Sequence, residues 1–338
     1  MIVEANRDPD AAHKVRKGGQ VGNGGDLGQD RGVRYHRLGR SDLDISVLVM
    51  GCGNFGGMGS APDLFGKGDD EPSAYTLLDA AFAAGITMYD TANSYGGGRS
   101  EEWLGQWLTS RGVRDDVLVT TKVGNRISPH DGGLSAAHIR HQIDASLRRL
   151  NTDRVDLYLT HVFDPDTPIE ETVGAFDSLI QAGKIRHYGM SNFTGSQLAQ
   201  AGGTPVNLQN AYNLVDRSDD GFDVCARRGI GFTAYSPLAG GLLTGKYRSG
   251  VPAGTRRALR PDWYSTVPPE TLAQVVDRLD VVAAARGTRI DTIALAWVLT
   301  DPGVAGAIIA PRTTDQLTTA LAAVDTALSL DERAALTA

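Results

Sequence analysis

From about residue 34 onward the chain alternates between two hydrophobic patterns. Short runs rich in β-branched and aromatic residues give way to longer segments whose apolar positions recur every three to four residues. The first pattern predicts strands at 47–50, 88–90, 117–122, 157–160, 185–189, 207–209, 231–235 and 305–309. The second predicts a helix after each: 73–84, 101–110, 136–150, 170–181, 196–201, 221–228, 272–286 with 293–299, and 316–323. In the segment 136–150, Ile139, Ile143, Leu147 and Leu150 fall on one helical stripe. Eight β–α pairs in succession predict an α/β protein of the (β/α)8 TIM-barrel class. Ahead of them, 35–38 and 43–45 flank Gly39-Arg40-Ser41-Asp42, which reads as a β-hairpin able to plug one end of the barrel.

The pattern fails in residues 1–33, which are polar and rich in glycine. Such a segment buries too little to offset its ordering entropy. It is expected to be a flexible Gly-rich tail or a strap on a partner, leaving 34–338 as a single barrel domain. Two loops are long, 51–72 after the first strand and 236–270 after the seventh. Both fall on the C-terminal face of the barrel, where such folds carry their chemistry.

Composition narrows the function classes. Of 338 residues, 33 are Lys or Arg and 40 Asp or Glu, a net charge of −7, which argues against nucleic acid as a partner. The opening MIVEANRDPD does not read as a secretory leader, and no apolar run is long enough to span a membrane. Two cysteines, Cys52 and Cys225, predict neither a disulfide framework nor a cysteine-based zinc site, and suggest a cytoplasmic location. His138 and His141 share a helix but lack a third ligand, so no metal is expected.

Gly51-Cys52-Gly53-Asn54-Phe55-Gly56 spells G-x-G-x-x-G after a strand. The dinucleotide fingerprint also needs a helix to start at once and an acid to end the next strand nearby. A polar loop follows instead, and Asp90 comes too late. The glycines are read as a turn, or as a close backbone approach to a ligand at the barrel mouth.

Asp90, Tyr95, Lys122 and His161 lie at or just beyond successive strand ends, and a barrel brings such ends into one cleft. Singly, each has an ordinary structural role available. Together they suit proton transfer. A phenol titrates near pH 10, and an ammonium beside it favours the phenolate. Asp90 would hold Lys122, and His161 would offer a second donor to a carbonyl oxygen as hydride arrives at carbon.

These residues carry a resemblance. Tyr89-Asp90-Thr91-Ala92-Asn93-Ser94-Tyr95-Gly96 with Arg99-Ser100-Glu101 is similar to the active-site signature of the aldo-keto reductase superfamily. Asp153-Arg154-Val155-Asp156-Leu157-Tyr158, Gly183-Lys184-Ile185-Arg186 with Gly189-Met190-Ser191-Asn192-Phe193, and Tyr235-Ser236-Pro237-Leu238 with Gly241-Leu242-Leu243-Thr244-Gly245-Lys246-Tyr247 extend it over about 34–325. The resemblance implies an NADPH-dependent oxidoreductase that reduces an aldehyde or ketone, with Asp90, Tyr95, Lys122 and His161 as a catalytic tetrad and Tyr95 as general acid. It further implies Ser191, Asn192 and Gln209 on the nicotinamide carboxamide and Tyr235 stacked on its ring. Gly53, Asn54, Ser236, Pro237, Leu238, Gly240, Leu242 and Lys246 would line the rest of the cofactor. Arg312 would meet the 2′-phosphate of NADP+ and Gln316 the adenine. Phe55, Val162, Phe163, Trp263 and Tyr264 are expected to wall a pocket for a small-molecule carbonyl substrate. The segment from His161 to Thr172 resembles the aryl-alcohol dehydrogenase-like and sugar-reductase-like branches, so aromatic, aliphatic or sugar carbonyls are all open. An alternative is a cofactor-binding sensor or partner subunit with slow turnover. An unrelated barrel hydrolase would show paired carboxylates or metal ligands at strand ends, and the sequence offers neither. An oligomer is possible, with no sequence feature deciding it.

Overall fold

In the computed structural model, residues 32–126, 131–217 and 221–337 are described. Most of the stretch expected to be a flexible tail lies outside them; of its last two positions, Val33 is buried. β1 (Tyr35–Arg37) and β2 (Asp44–Ser46) pair antiparallel, with His36 opposite Ile45. Then β3 (Leu48–Gly51), β4 (Met88–Asp90), β5 (Leu118–Val123), β6 (Val155–Thr160), β7 (Ile185–Ser191), β8 (Asn207–Ala211), β9 (Gly231–Tyr235) and β10 (Val304–Ile309) form one parallel sheet. It closes through the β10–β3 pair, where Ile308 lies beside Val49. The protein is a (β/α)8 TIM barrel with an N-terminal hairpin.

Strand alternation sorts the side chains. Leu48, Met50, Tyr89 and Tyr158 face outward into the main core beneath the helices. Their neighbours Val49, Met88, Leu157, Leu159 and Ile308 face inward, where they meet Leu38, Leu43 and Ile45 of the hairpin. The hairpin therefore stoppers the lower end of the barrel. Gly39 permits the close approach: at φ +54° it sits where a Cβ would lie 2.5 Å from Gly231 N.

The outer layer comprises α1 (Glu71–Ala83), α2 (Arg99–Arg111), α3 (Ala136–Leu150), α4 (Ile169–Gln181), α5 (Gly195–Gln200), α6 (Gly221–Arg228), α7 (Arg256–Leu259), α8 (Pro269–Arg286), α9 (Ile290–Leu299), α10 (Thr314–Val324) and α11 (Leu330–Thr337). α7 and α11 depart from the expected pattern, and the long loop after β9 also contains short 3-10 turns at Ala239–Thr244 and Pro261–Tyr264. α1 and α8 begin earlier than the hydrophobic periodicity predicts, because Pro72 and Pro269 occupy first-turn positions, where a missing N–H costs nothing. The Asp70 side chain accepts from Ser73 N and caps α1.

Candidate functional site

The inward-facing parity that buries Met88 and Leu159 also places the last inward residue of each strand at the barrel mouth. Met88 leads to Asp90, Thr120 to Lys122, Leu159 to His161, Gly189 to Ser191, Asn207 to Gln209 and Thr233 to Tyr235. The structure thus gathers side chains from six strand ends. With the loops above them, all of these but Lys122 border a cavity of about 1240 Å³. Small-ligand pockets run from about 300 to about 1,000 Å³, so this one has room for an extended ligand beside a small substrate.

At its floor, Lys122 is 1% exposed and forms an ion pair with Asp90 Oδ1. The same ammonium donates to Thr91 O at 2.8 Å. Asp90 Oδ2 accepts from Gln209 Nε2 at 2.9 Å, which ties β4 to β8 across the mouth. Lys122 Nζ lies 5.0 Å from the Tyr95 ring centroid. The Tyr95 hydroxyl meets His161 Nε2 at 3.5 Å, and the two rings are nearly perpendicular. The pull of Lys122 on the phenol is only part of the balance. Burial pushes the Tyr95 phenol above its ordinary value, and Lys122 opposes this without reversing it. Burial also works against the Lys122 ammonium, but Asp90 and Tyr95 outweigh it and hold the group charged. His161 is driven well below its ordinary range by burial first and by Lys122 second, so its imidazole is neutral. Its Nδ1 is buried with no hydrogen-bond partner.

One wall is formed by β7–β9. Asn192 sits at φ +58°, donates to His161 O at 2.7 Å, and accepts from the Tyr235 hydroxyl at 2.6 Å. Ser191 Oγ donates to Gln209 O at 2.8 Å. Ser236 and Ala239 also adopt positive φ, a strain that clusters at functional sites. Gly240 and Gly241 turn the backbone beneath Tyr264, whose hydroxyl donates to Gly240 O at 3.2 Å. Gly53 brings the opposite wall close: a Cβ there would lie 3.5 Å from the Tyr95 ring.

The lining also carries charge of both signs. Lys246, Arg256, Arg289 and Arg312 belong to it, along with Asp69, Asp70 and Asp291. Thr313 accepts from Gln316 N and caps α10, while Gln316 Oε1 accepts from Arg312 N at 2.8 Å. Arg256 donates to Asn54 Oδ1 and so joins the loop after β9 to the loop after β3. Arg312 Nε donates to Asp69 Oδ1 at 2.8 Å. Sequence reading missed Arg256 and Asp69. The one available signal was that both fall in the two long loops.

Other expected residues lie elsewhere. Phe55 is 1% exposed and packs into the core beneath its loop. Leu242 is likewise buried. Phe163 packs edge-on against Phe193, with ring centroids 5.2 Å apart. Val162 is exposed outside the cavity rim. Of the five expected pocket walls Trp263 borders the cavity, and Tyr264 backs it through Gly240. Short strand-flanking apolar residues point to core as readily as to a pocket, and nothing in their spacing separates the two.

The donor set fits a nicotinamide dinucleotide. Hydroxyl and amide groups at Ser191, Asn192 and Gln209 suit a carboxamide, the Tyr235 ring offers a stacking face, and Lys246, Arg256 and Arg312 with the N-terminus of α10 suit phosphates.

Known proteins resemble most of this chain. The model of the aldo/keto reductase family matches residues 47–338. An uncharacterized oxidoreductase, YrpG, of Bacillus subtilis is 36% identical over 321 residues, covering 89% of this chain and 93% of the relative. A probable voltage-gated potassium channel subunit beta of Oryza sativa is 34% identical, covering 87% and 92%. An L-glyceraldehyde 3-phosphate reductase of Escherichia coli is 30% identical, covering 84% and 86%. A match over nearly the whole described barrel, with full-length relatives at this level of identity, makes the chain a member of the aldo/keto reductase family of oxidoreductases.

Proposed function

We propose that this protein is an NADPH-dependent reductase converting an aldehyde or ketone to an alcohol. The observation that carries the proposal is the Tyr95 hydroxyl, set between Lys122 and His161 at the floor of a cavity that Lys246, Arg256 and Arg312 also line. The bound coenzyme supplies hydride to the carbonyl carbon. Tyr95 gives its proton to the carbonyl oxygen, and its raised pKa keeps that proton in place at neutral pH. Lys122, held charged by Asp90, favours the negative charge that Tyr95 acquires as it lets go. Neutral His161 turns Nε2 toward the same oxygen as a second donor. Ser191, Asn192 and Gln209 orient the nicotinamide end, and Tyr235 covers one face. Gly53, Asn54, Ser236, Pro237, Leu238, Gly240 and Lys246 line the cavity and would border the middle of the ligand, while Leu242 is buried. Arg312 recognises the 2′-phosphate and thereby favours NADPH, since guanidinium matches phosphate geometry, and Gln316 lies toward the adenine. Trp263 at the rim suits an aromatic or apolar carbonyl. Two buried free cysteines suit a reducing compartment such as the cytoplasm.

Tyr95→Phe tests the reading. Turnover is expected to fall by about 10²- to 10⁴-fold while NADPH binding, followed by intrinsic fluorescence, stays near wild type. A variant that keeps most of its turnover removes Tyr95 from the proton's path.

The relatives named as potassium channel subunits motivate a second reading, a coenzyme-occupied partner subunit with slow turnover. It predicts coenzyme retained through purification and slow reduction of every carbonyl in a broad panel. Rapid turnover of any one would set it aside.

A further inference from the structure

Among the acids that line the cavity, Asp69 is one that the proposed mechanism does not use. Asp69 lies near the end of the first long loop, and its side chain is 4% exposed. Oδ1 accepts from Arg312 Nε at 2.8 Å, while Oδ2 is buried with no hydrogen-bond partner. The position is fixed by backbone. Asp69 N donates to Asn54 O at 2.7 Å, and Asp69 O accepts from Gly56 N at 3.1 Å. Gly68 just before it leaves no room for a side chain, since a Cβ would lie 2.0 Å from both Asn54 O and Gly57 O. The carboxylate is therefore part of the mouth and not a mobile surface charge that has found a partner.

We propose that Asp69 is a selectivity-determining residue for the coenzyme, limiting the preference for NADPH over NADH by offsetting the charge of Arg312. The inference rests on the coenzyme reading given above. A 2′-phosphate carries close to two negative charges near neutral pH. It would approach a guanidinium already paired with a carboxylate, and a buried charge is screened far less than an exposed one. An unphosphorylated ribose brings a neutral hydroxyl in its place. That hydroxyl carries no charge for the carboxylate to repel. The same carboxylate thus opposes one coenzyme and is indifferent to the other. Burial raises the Asp69 pKa, with Arg312 as the main opposing influence and Arg256 acting in the same direction as Arg312.

The test is a fluorescence titration of wild type, Asp69→Asn and Asp69→Ser with NADPH and with NADH. Asparagine keeps the shape and an acceptor for Arg312 Nε but removes the charge. The ratio of the NADH to the NADPH dissociation constant is expected to rise about tenfold in Asp69→Asn, as a unit charge a few ångströms from a phosphate implies. Serine should move the ratio in the same direction, and it keeps the question answerable if one variant folds poorly. Should the ratio stay within about twofold of wild type while coenzyme still binds, the role of Asp69 is wrong and the reductase reading stands. An equal loss of both affinities would also overturn it, leaving a purely structural carboxylate. If wild type binds neither coenzyme, the coenzyme reading falls and takes this inference with it.

Discussion

Tyr95 shows how burial and charge divide control of one proton. A cation 5.0 Å from the ring was expected to lower the phenol's pKa, and it does act in that direction. Enclosure at the barrel floor acts more strongly the other way. The net shift is upward from an ordinary value near 10, so the protonated acid persists through the physiological range. Reductive turnover at saturating coenzyme should therefore be flat from about pH 6 to about pH 9, with alcohol oxidation rising across the same interval. A basic limb below about pH 8 in the reductive profile would show that Tyr95 titrates lower than its enclosure implies. The four residue types and their order were legible in the sequence because strand-end positions converge in any barrel. Their balance was not, because burial depends on how tightly the loops close. Nor was the pairing of Asp69 with Arg312, which joins positions 243 apart in the chain.

Helix starts were harder to read than helix interiors. Periodicity placed α1 and α8 from their first clear apolar stripe, whereas Asp70 with Pro72, and Pro269, open them earlier through capping and first-turn chemistry. α10 makes the same physics testable. Thr313 is its N-cap, and the adjoining Arg312 backbone is held by Gln316. Thr313→Ala should cost about 1 kcal/mol of stability in denaturant titration. If α10 also orients Arg312, the NADPH dissociation constant should rise while kcat stays unchanged. A loss of kcat without a change in affinity would disconnect this helix end from the coenzyme.

The fold as a whole is fastened at both ends by exposed ion pairs. Asp42 in the hairpin turn binds His187 at 2.6 Å and Arg186 at 2.8 Å, and its carboxyl is held down to about 2, through His187 above all. Glu332 on α11 is likewise held at about 2 by Arg286 on α8. Groups with lowered pKa values contribute stability above their unfolded values, here 3.8 and 4.5, and lose it as pH falls toward 2. Thermal midpoints should fall between about pH 4.5 and pH 2.5, and Asp42→Asn should flatten part of that slope. An unchanged slope would mean that the hairpin clasp adds nothing in solution, as exposed pairs sometimes do.

The barrel also separates two kinds of position. Asp90, Lys122 and His161 stand on strand ends whose register is locked by a closed ring of neighbours, with Tyr95 packed directly above them. Trp263, Arg256 and Asp69 stand on the two long connections, which are joined to each other only at a few points such as Arg256 with Asn54. A substitution in the ring disturbs every adjoining strand, whereas an insertion in a connection disturbs little beyond itself. Over generations the two should therefore diverge at different speeds. The inherited reaction stays put while the range of molecules admitted to it drifts, one connection at a time.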